Sequence, residues 1–166
     1  MKEESIKLIT ILKEEITLYQ IFLDLLERER NIVAHFSLED MYENNNQKET
    51  VLLQIKVLEE SRISLVESFG EILDIPREEI TISMLCAYIY EPYRTELKEC
   101  HQRLSALINS IKEVNQVNSI LIDRSISFLR DSFSLINSFS QSSLLYHSSG
   151  KIEEQEENGR ILCKRG

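Results

Sequence analysis

Glycine and proline are nearly missing from this chain, with four and two in 166 residues, and tryptophan is absent. So few breakers over this length exclude a fold of many short strands and tight turns, and favour long helices. Basic character is missing too. The net charge of −9 argues against nucleic acid or an anionic membrane surface as the main partner, since both draw clusters of Lys and Arg. No apolar run approaches the roughly 20 residues that a transmembrane helix needs. The opening MKEESIKLIT lacks the charged-then-apolar pattern of a signal peptide. The three cysteines, Cys86, Cys100 and Cys163, are odd in number and form no CxxC pair. They point to the reducing cytosol and to structural or inert thiols. A cytoplasmic location is therefore expected.

Signatures of chemistry are absent as well. There is no Gly-rich phosphate loop, G-x-S-x-G elbow or HExxH. Long acidic helices raise the idea of a di-iron carboxylate bundle, which needs Glu-x-x-His on two helices. The residues three before His35, His101 and His147 are Ile32, Lys98 and Leu144, so that pattern fails. Cys100 and His101 are adjacent and point in different directions on a helix, which reads as a half-buried thiol beside a surface imidazole. No catalytic residue, metal site or cofactor is expected, and the protein is not expected to be an enzyme.

What the chain does have is heptad spacing. From about residue 4 to 36, Ile9, Leu12, Ile16, Tyr19, Leu23, Leu26, Arg30 and Val33 alternate three and four apart, a coiled-coil seam. Leu8, Ile11, Leu18, Phe22 and Leu25 widen it, so this helix needs more than one neighbour. Residues 37–47 read as a connection, with room for a short helix: Ser37 followed by Asp40 fits a weak cap, while Asn44, Asn45 and Asn46 make a poor helix interior. A second helix, firm from about 48 to 73, repeats the spacing in Val51, Ile55, Leu58, Arg62, Leu65, Phe69 and Ile72. The clusters Glu27–Arg30 and Glu59–Arg62 are read as solvated faces rather than a polar docking surface, with Arg30 and Arg62 laying their stems on the seam and turning their heads to water or Glu. The short connection implies an antiparallel hairpin. Gly70 and Pro76 break the pattern. A short helix follows near 80–89, its cap open among Asp74, Thr81 and Ser83. A last long helix runs from about 92 to 139. The predicted fold is all-α: an elongated antiparallel helical bundle with a long hairpin, a short helix and a long C-terminal helix. One domain is expected over 1–150. The last stretch, KIEEQEENGRILCKRG with its four glutamates, is read as an acidic, disordered tail over 151–166.

The last helix changes its apolar face. Up to Val114 its stripe is Leu97, Leu104, Leu107, Ile108, Ile111 and Val114. Then the heptad line Leu104, Ile111, Asn118, Ser125, Ser132 turns polar at Asn118. A new row, Ile122, Ile126, Leu129, Phe133 and Ile136, appears beside the persistent Leu121, Phe128 and Leu135. The change is centred on VNQVNS, where Asn115 and Asn118 fall at expected inward positions. From spacing alone two readings stay open. In one, the helix changes neighbours inside its bundle and Asn118 fixes register. In the other, the new row is open and receives an amphipathic helix from a partner.

The residues also carry a family resemblance. LLERER (25–30), KETVLL (48–53) leading into LEESR (58–62), YEPYR (90–94) and VNQVNSILI (114–122) occur in the order and spacing of the FlgN-type flagellar export chaperones. The last matches an Asn-x-x-Asn-x-x-Leu-Ile pattern, and Tyr146 with Gly150 is similar to a trailing Tyr-x-x-x-Gly. The resemblance covers about residues 5–150. It implies a cytosolic binding protein in bacterial flagellum biogenesis and type III protein export. Such a chaperone covers the amphipathic C-terminal helix of hook–filament junction (hook-associated) proteins, prevents their premature assembly and delivers them to the cytosolic domain of the export gate. It further implies substrate binding by Ile122, Ile126, Leu129, Phe133 and Ile136, and gate docking by Tyr146. His147 and the two serines after it depart from the Asp often found after that Tyr. Monomer and homodimer both stay open. The alternatives are a helical adaptor or regulator for another partner, and a self-assembling coiled coil.

Overall fold

A computed structural model of the chain describes residues 2–141. Four α-helices account for most of them, with no strand among the described residues: α1 (Lys2–His35), α2 (Leu38–Leu73), α3 (Ile82–Tyr88) and α4 (Tyr93–Gln141). The expected 151–166 tail lies outside the described residues. The chain divides into two compact units, Met1–Arg124 and Ser125–Gly166. The first unit holds α1, α2, α3 and α4 as far as Arg124. The described part of the second is the remainder of α4.

Only Phe36 and Ser37 separate α1 from α2. Phe36 takes a left-handed conformation (φ 52°), and Ser37 caps α2 by accepting from the backbone N–H of Asp40 at 3.4 Å. The second helix therefore begins ten residues earlier than the sequence reading placed it. Asn44 explains the difference. It is fully buried, and its side-chain amide donates to the Leu25 carbonyl of α1 at 3.2 Å. Tertiary bonding outweighs its weak helix propensity, which costs only about 0.7 kcal/mol per residue.

The far end of α2 depends on Gly70. The N–H groups of Asp74 and Ile75 both return to the Gly70 carbonyl, and Asp74 is left-handed (φ 56°). A Cβ on residue 70 would stand 2.9 Å from the Ile75 carbonyl oxygen, so only glycine lets the chain fold back there. A 3₁₀ turn (Arg77–Glu79) leads to α3. Of the candidate caps it is Thr81 that serves, accepting from the N–H of Met84 at 3.2 Å. The short helix thus starts two residues later than expected.

Polar pairs fix the helix directions within the first unit. Glu15 meets Arg62 and Glu29 meets Lys48, so α2 runs antiparallel to α1. Lys13 meets Glu96 and Asn118 meets Leu26, so α4 runs parallel to α1. One core joins all four helices: Leu8, Ile9, Leu12 and Ile16 of α1, Phe69 of α2, Leu85 and Cys86 of α3, and Leu97, Cys100 and Leu107 of α4. Full burial of a side chain such as Leu12, Phe69 or Leu97 contributes about 1.5–3 kcal/mol. A second cluster, Leu25, Val51 and Ile55, lies between α1 and α2 alone. The heptad seams supply the buried residues of α1 and α2 for the most part; of the seam positions, Arg30 and Ile72 are exposed.

Candidate functional site

The long run of α4 is helical because it contains neither Gly nor Pro after Pro92 and keeps apolar residues three and four apart. Its covered track is regular. Leu97, Cys100 and Leu107 are buried, and Leu104, Ile111 and Val114 are half-buried. The next position on the track is Asn118, 1% exposed. Leu121, Ile122 and Ser125 follow, half-buried.

Asn118 is held by α1. Its side-chain amide donates to the Leu26 carbonyl at 2.6 Å and to Glu29 Oε2 at 2.9 Å. Glu29 is itself buried, and its other oxygen accepts from Lys48 Nζ of α2. One carboxylate thus joins three helices. A buried charge needs such partners, because taking it out of water unpaired is costly. Asn118 Oδ1 finds no partner, so the amide is held through its donor side. Of the two asparagines expected to face inward, only Asn118 does; Asn115 is exposed.

The α1–α4 hydrogen bonds run from Lys13–Glu96 to Leu26 and Glu29 with Asn118, and α1 itself ends at His35, six residues past Glu29.

At residues 126–136 the large apolar side chains, Ile126, Phe128, Leu129, Phe133, Leu135 and Ile136, are all exposed, Phe133 to 65%. Ser132, on the former track, is half-buried and bonds to the Phe128 carbonyl of its own helix. Of the five residues of the expected substrate row, Ile122 is half-buried and belongs to the first unit. Ile126, Leu129, Phe133 and Ile136 belong to the second and are exposed. Tyr146 lies outside the described residues. Elsewhere exposed apolar side chains gather in two short groups, Phe36, Leu38 and Tyr42 at the α1–α2 corner and Leu52, Leu53 and Val57 of α2.

Sequence reasoning missed the buried carboxylates. It placed Arg30 on the seam, but Arg30 is exposed and Glu29 is inside. Arg62 does sit half-buried on the seam, donating to Glu15 at 3.0 Å and lying 3.5 Å from Glu59. Glu15 is 2% exposed, and its Oε2 has no partner. Burial pushes its carboxyl above the usual carboxylate range, against the pull of Arg62. Burial, with Glu15 beside it, likewise raises the Tyr19 phenol, and burial raises the Cys100 thiol. One signal was available: Leu8, Glu15, Phe22 and Glu29 share one heptad line, so both glutamates fall among apolar neighbours.

A cleft of about 430 Å³ is lined by Leu8, Leu12, Ile63, Leu85 and Leu104, with Arg62 and His101 as its charged and titratable groups. Arg62 is committed to Glu15, while Thr81, His101 and Ser105 keep part of the cleft wall polar. Among the described residues no group of three His, Cys, Asp or Glu gathers as a metal site, and no helix is long and apolar enough to cross a membrane. What α4 offers is a surface for another apolar surface. A family model described as FlgN protein matches residues 1–154. No curated protein and no solved structure matches the chain.

Proposed function

The chain belongs to the FlgN family, and from that premise we propose that the end of α4 holds the amphipathic C-terminal helix of a hook–filament junction protein. The family gives the general role of flagellar export chaperone. The particular reading rests on one observation: apolar side chains at the end of α4 are exposed at helical spacing. An amphipathic helix is the ligand that such a face takes up, through anchors at i, i+3, i+4 and i+7. Ile122, Ile126, Leu129, Phe133 and Ile136 are the proposed anchors. Capture hides the substrate's own apolar stripe and so stops it from assembling in the cytoplasm. Residues 1–150 act as one chaperone domain, with 151–166 as a charged tail. Delivery to the cytosolic domain of the export gate is assigned to Tyr146.

The test is direct. Leu129→Asp or Phe133→Asp abolishes binding of the junction protein's C-terminal segment, measured by calorimetry, while helical content and Tm stay within the wild-type range. Variants that lose helical content and Tm would show the row to be core. Retained binding with an intact fold would remove the row from the site. For Tyr146→Ala, substrate binding persists and capture by the gate's cytosolic domain is lost.

A further inference from the structure

The end of α4 is apolar over more of its circumference than one docked helix covers. Each residue of an α-helix advances about 100°. Ile126, Leu129, Phe133 and Ile136 cluster along one line; Phe128 and Leu135, seven apart, form a second, about 130° away. Phe128 is 64% exposed and Leu135 60%. The remaining side is Ser127, Arg130, Asp131, Ser134, Asn137 and Ser138. A helix packed at about 8–10 Å meets a narrow a/d stripe, so one seated on the first line leaves Phe128 and Leu135 in water. The six apolar side chains expose roughly 700 Å², at about 200 Å² per large side chain. Together the two lines approach one partner's share, about 800 Å², of a standard interface.

We infer that the partner covers the end of α4 with two separate amphipathic helical segments of one chain, one on each line. This rests on the substrate-holding reading above and adds to it the form of the substrate. With axes about 9 Å from α4 and about 130° apart around it, the two segments lie about 16 Å from each other. They are too far apart to pack together as a tight hairpin, so a connecting stretch bridges them. The flanking charges separate the two seats. Arg130 borders the first line and Asp131 the second. The first segment therefore presents an acid beside α4, and the second a base. A second copy of this chain brings one such helix and covers one line only.

The test uses the full chain, with the C-terminal segment of a hook–filament junction protein from the same genome as probe. Three double variants are compared by calorimetry: Leu129→Asp with Phe133→Asp, Phe128→Asp with Leu135→Asp, and Leu53→Asp with Val57→Asp on α2 as control. Each of the first two weakens binding at least tenfold, and the control leaves it unchanged. The milder Phe128→Gln with Leu135→Gln weakens it in the same direction if the Asp pair lowers Tm. Loss on the first line with wild-type affinity on the second overturns the two-segment inference and leaves the chaperone reading standing. Wild-type affinity in both, with helical content intact, overturns the reading itself. Light scattering that shows the free chain as an oligomer which the second-line variant dissociates assigns that line to a second copy, and also overturns the inference.

Discussion

A single side chain, Asn118, ties the last helix to the first. Its two amide donors serve a backbone carbonyl and a buried carboxylate, and both lose that bond when the amide goes. Leaving buried acceptors without a donor costs about 1–3 kcal/mol, so Asn118→Ala lowers unfolding stability by that amount in urea titrations. The exposed Asn115 makes the contrast. Asn115→Ala is neutral or gains about half a kcal/mol, since alanine is the better helix former. Equal losses in the two variants would mean that Asn118 acts through the helix backbone and not through α1. This pair also shows where sequence reading stops. Both asparagines stand at plausible inward positions on a heptad, and only three-dimensional packing tells the latch from the surface residue.

At the scale of the element, α4 is one helix with two environments. From Leu97 to Asn118 its track is covered; at 126–136 six large apolar residues are exposed. Local opening is easier where few apolar contacts are buried. In the free protein, amides at 126–138 exchange at least tenfold faster than those at 97–118, read by hydrogen exchange. Saturating the chain with the junction-protein segment proposed as its ligand slows the first group. Slow exchange there without substrate would mean that the row is already covered. The helices themselves were legible, because heptad spacing and scarce breakers leave little else for α1, α2 and α4 to be. The first turns of α2 were not, because Asn44, Asn45 and Asn46 look like a connection until Asn44 is seen bonded to α1. The track through Asn118 was legible as a change of pattern, though not in its sense. The covered face stays where it was while the apolar residues leave it.

For the whole molecule, pH dependence follows from Glu15. Its folded-state pKa is raised, by burial first, above the ordinary value of an exposed glutamate. The folded protein therefore binds that proton more tightly than the unfolded chain. The contribution is fully present below the unfolded pKa and is lost as pH rises through the folded one. Relative to wild type, Glu15→Gln gains stability as pH rises from about 4 towards neutrality, with the difference smallest at the acid end. Thermal melts at matched ionic strength read this directly, and a difference that shrinks with rising pH would contradict it. The buried carboxylates escaped the sequence reading because charge type alone does not separate Glu29 from Arg30. One heptad line holding Leu8, Glu15, Phe22 and Glu29 was the available clue.

The two clusters of buried side chains also become complete at different moments of the protein's synthesis. Leu25, Val51 and Ile55 have all been made once the ribosome passes residue 55. The cluster around Leu8 and Leu12 waits for Leu107. At roughly 5–20 residues per second that is an interval of about three to ten seconds. During it the nascent hairpin carries an uncovered apolar strip at its N-terminal end. Glu29 can already hold Lys48, yet the Leu26 carbonyl has no Asn118 to receive. A member of an export-chaperone family thus begins its own life with an apolar strip of its own exposed.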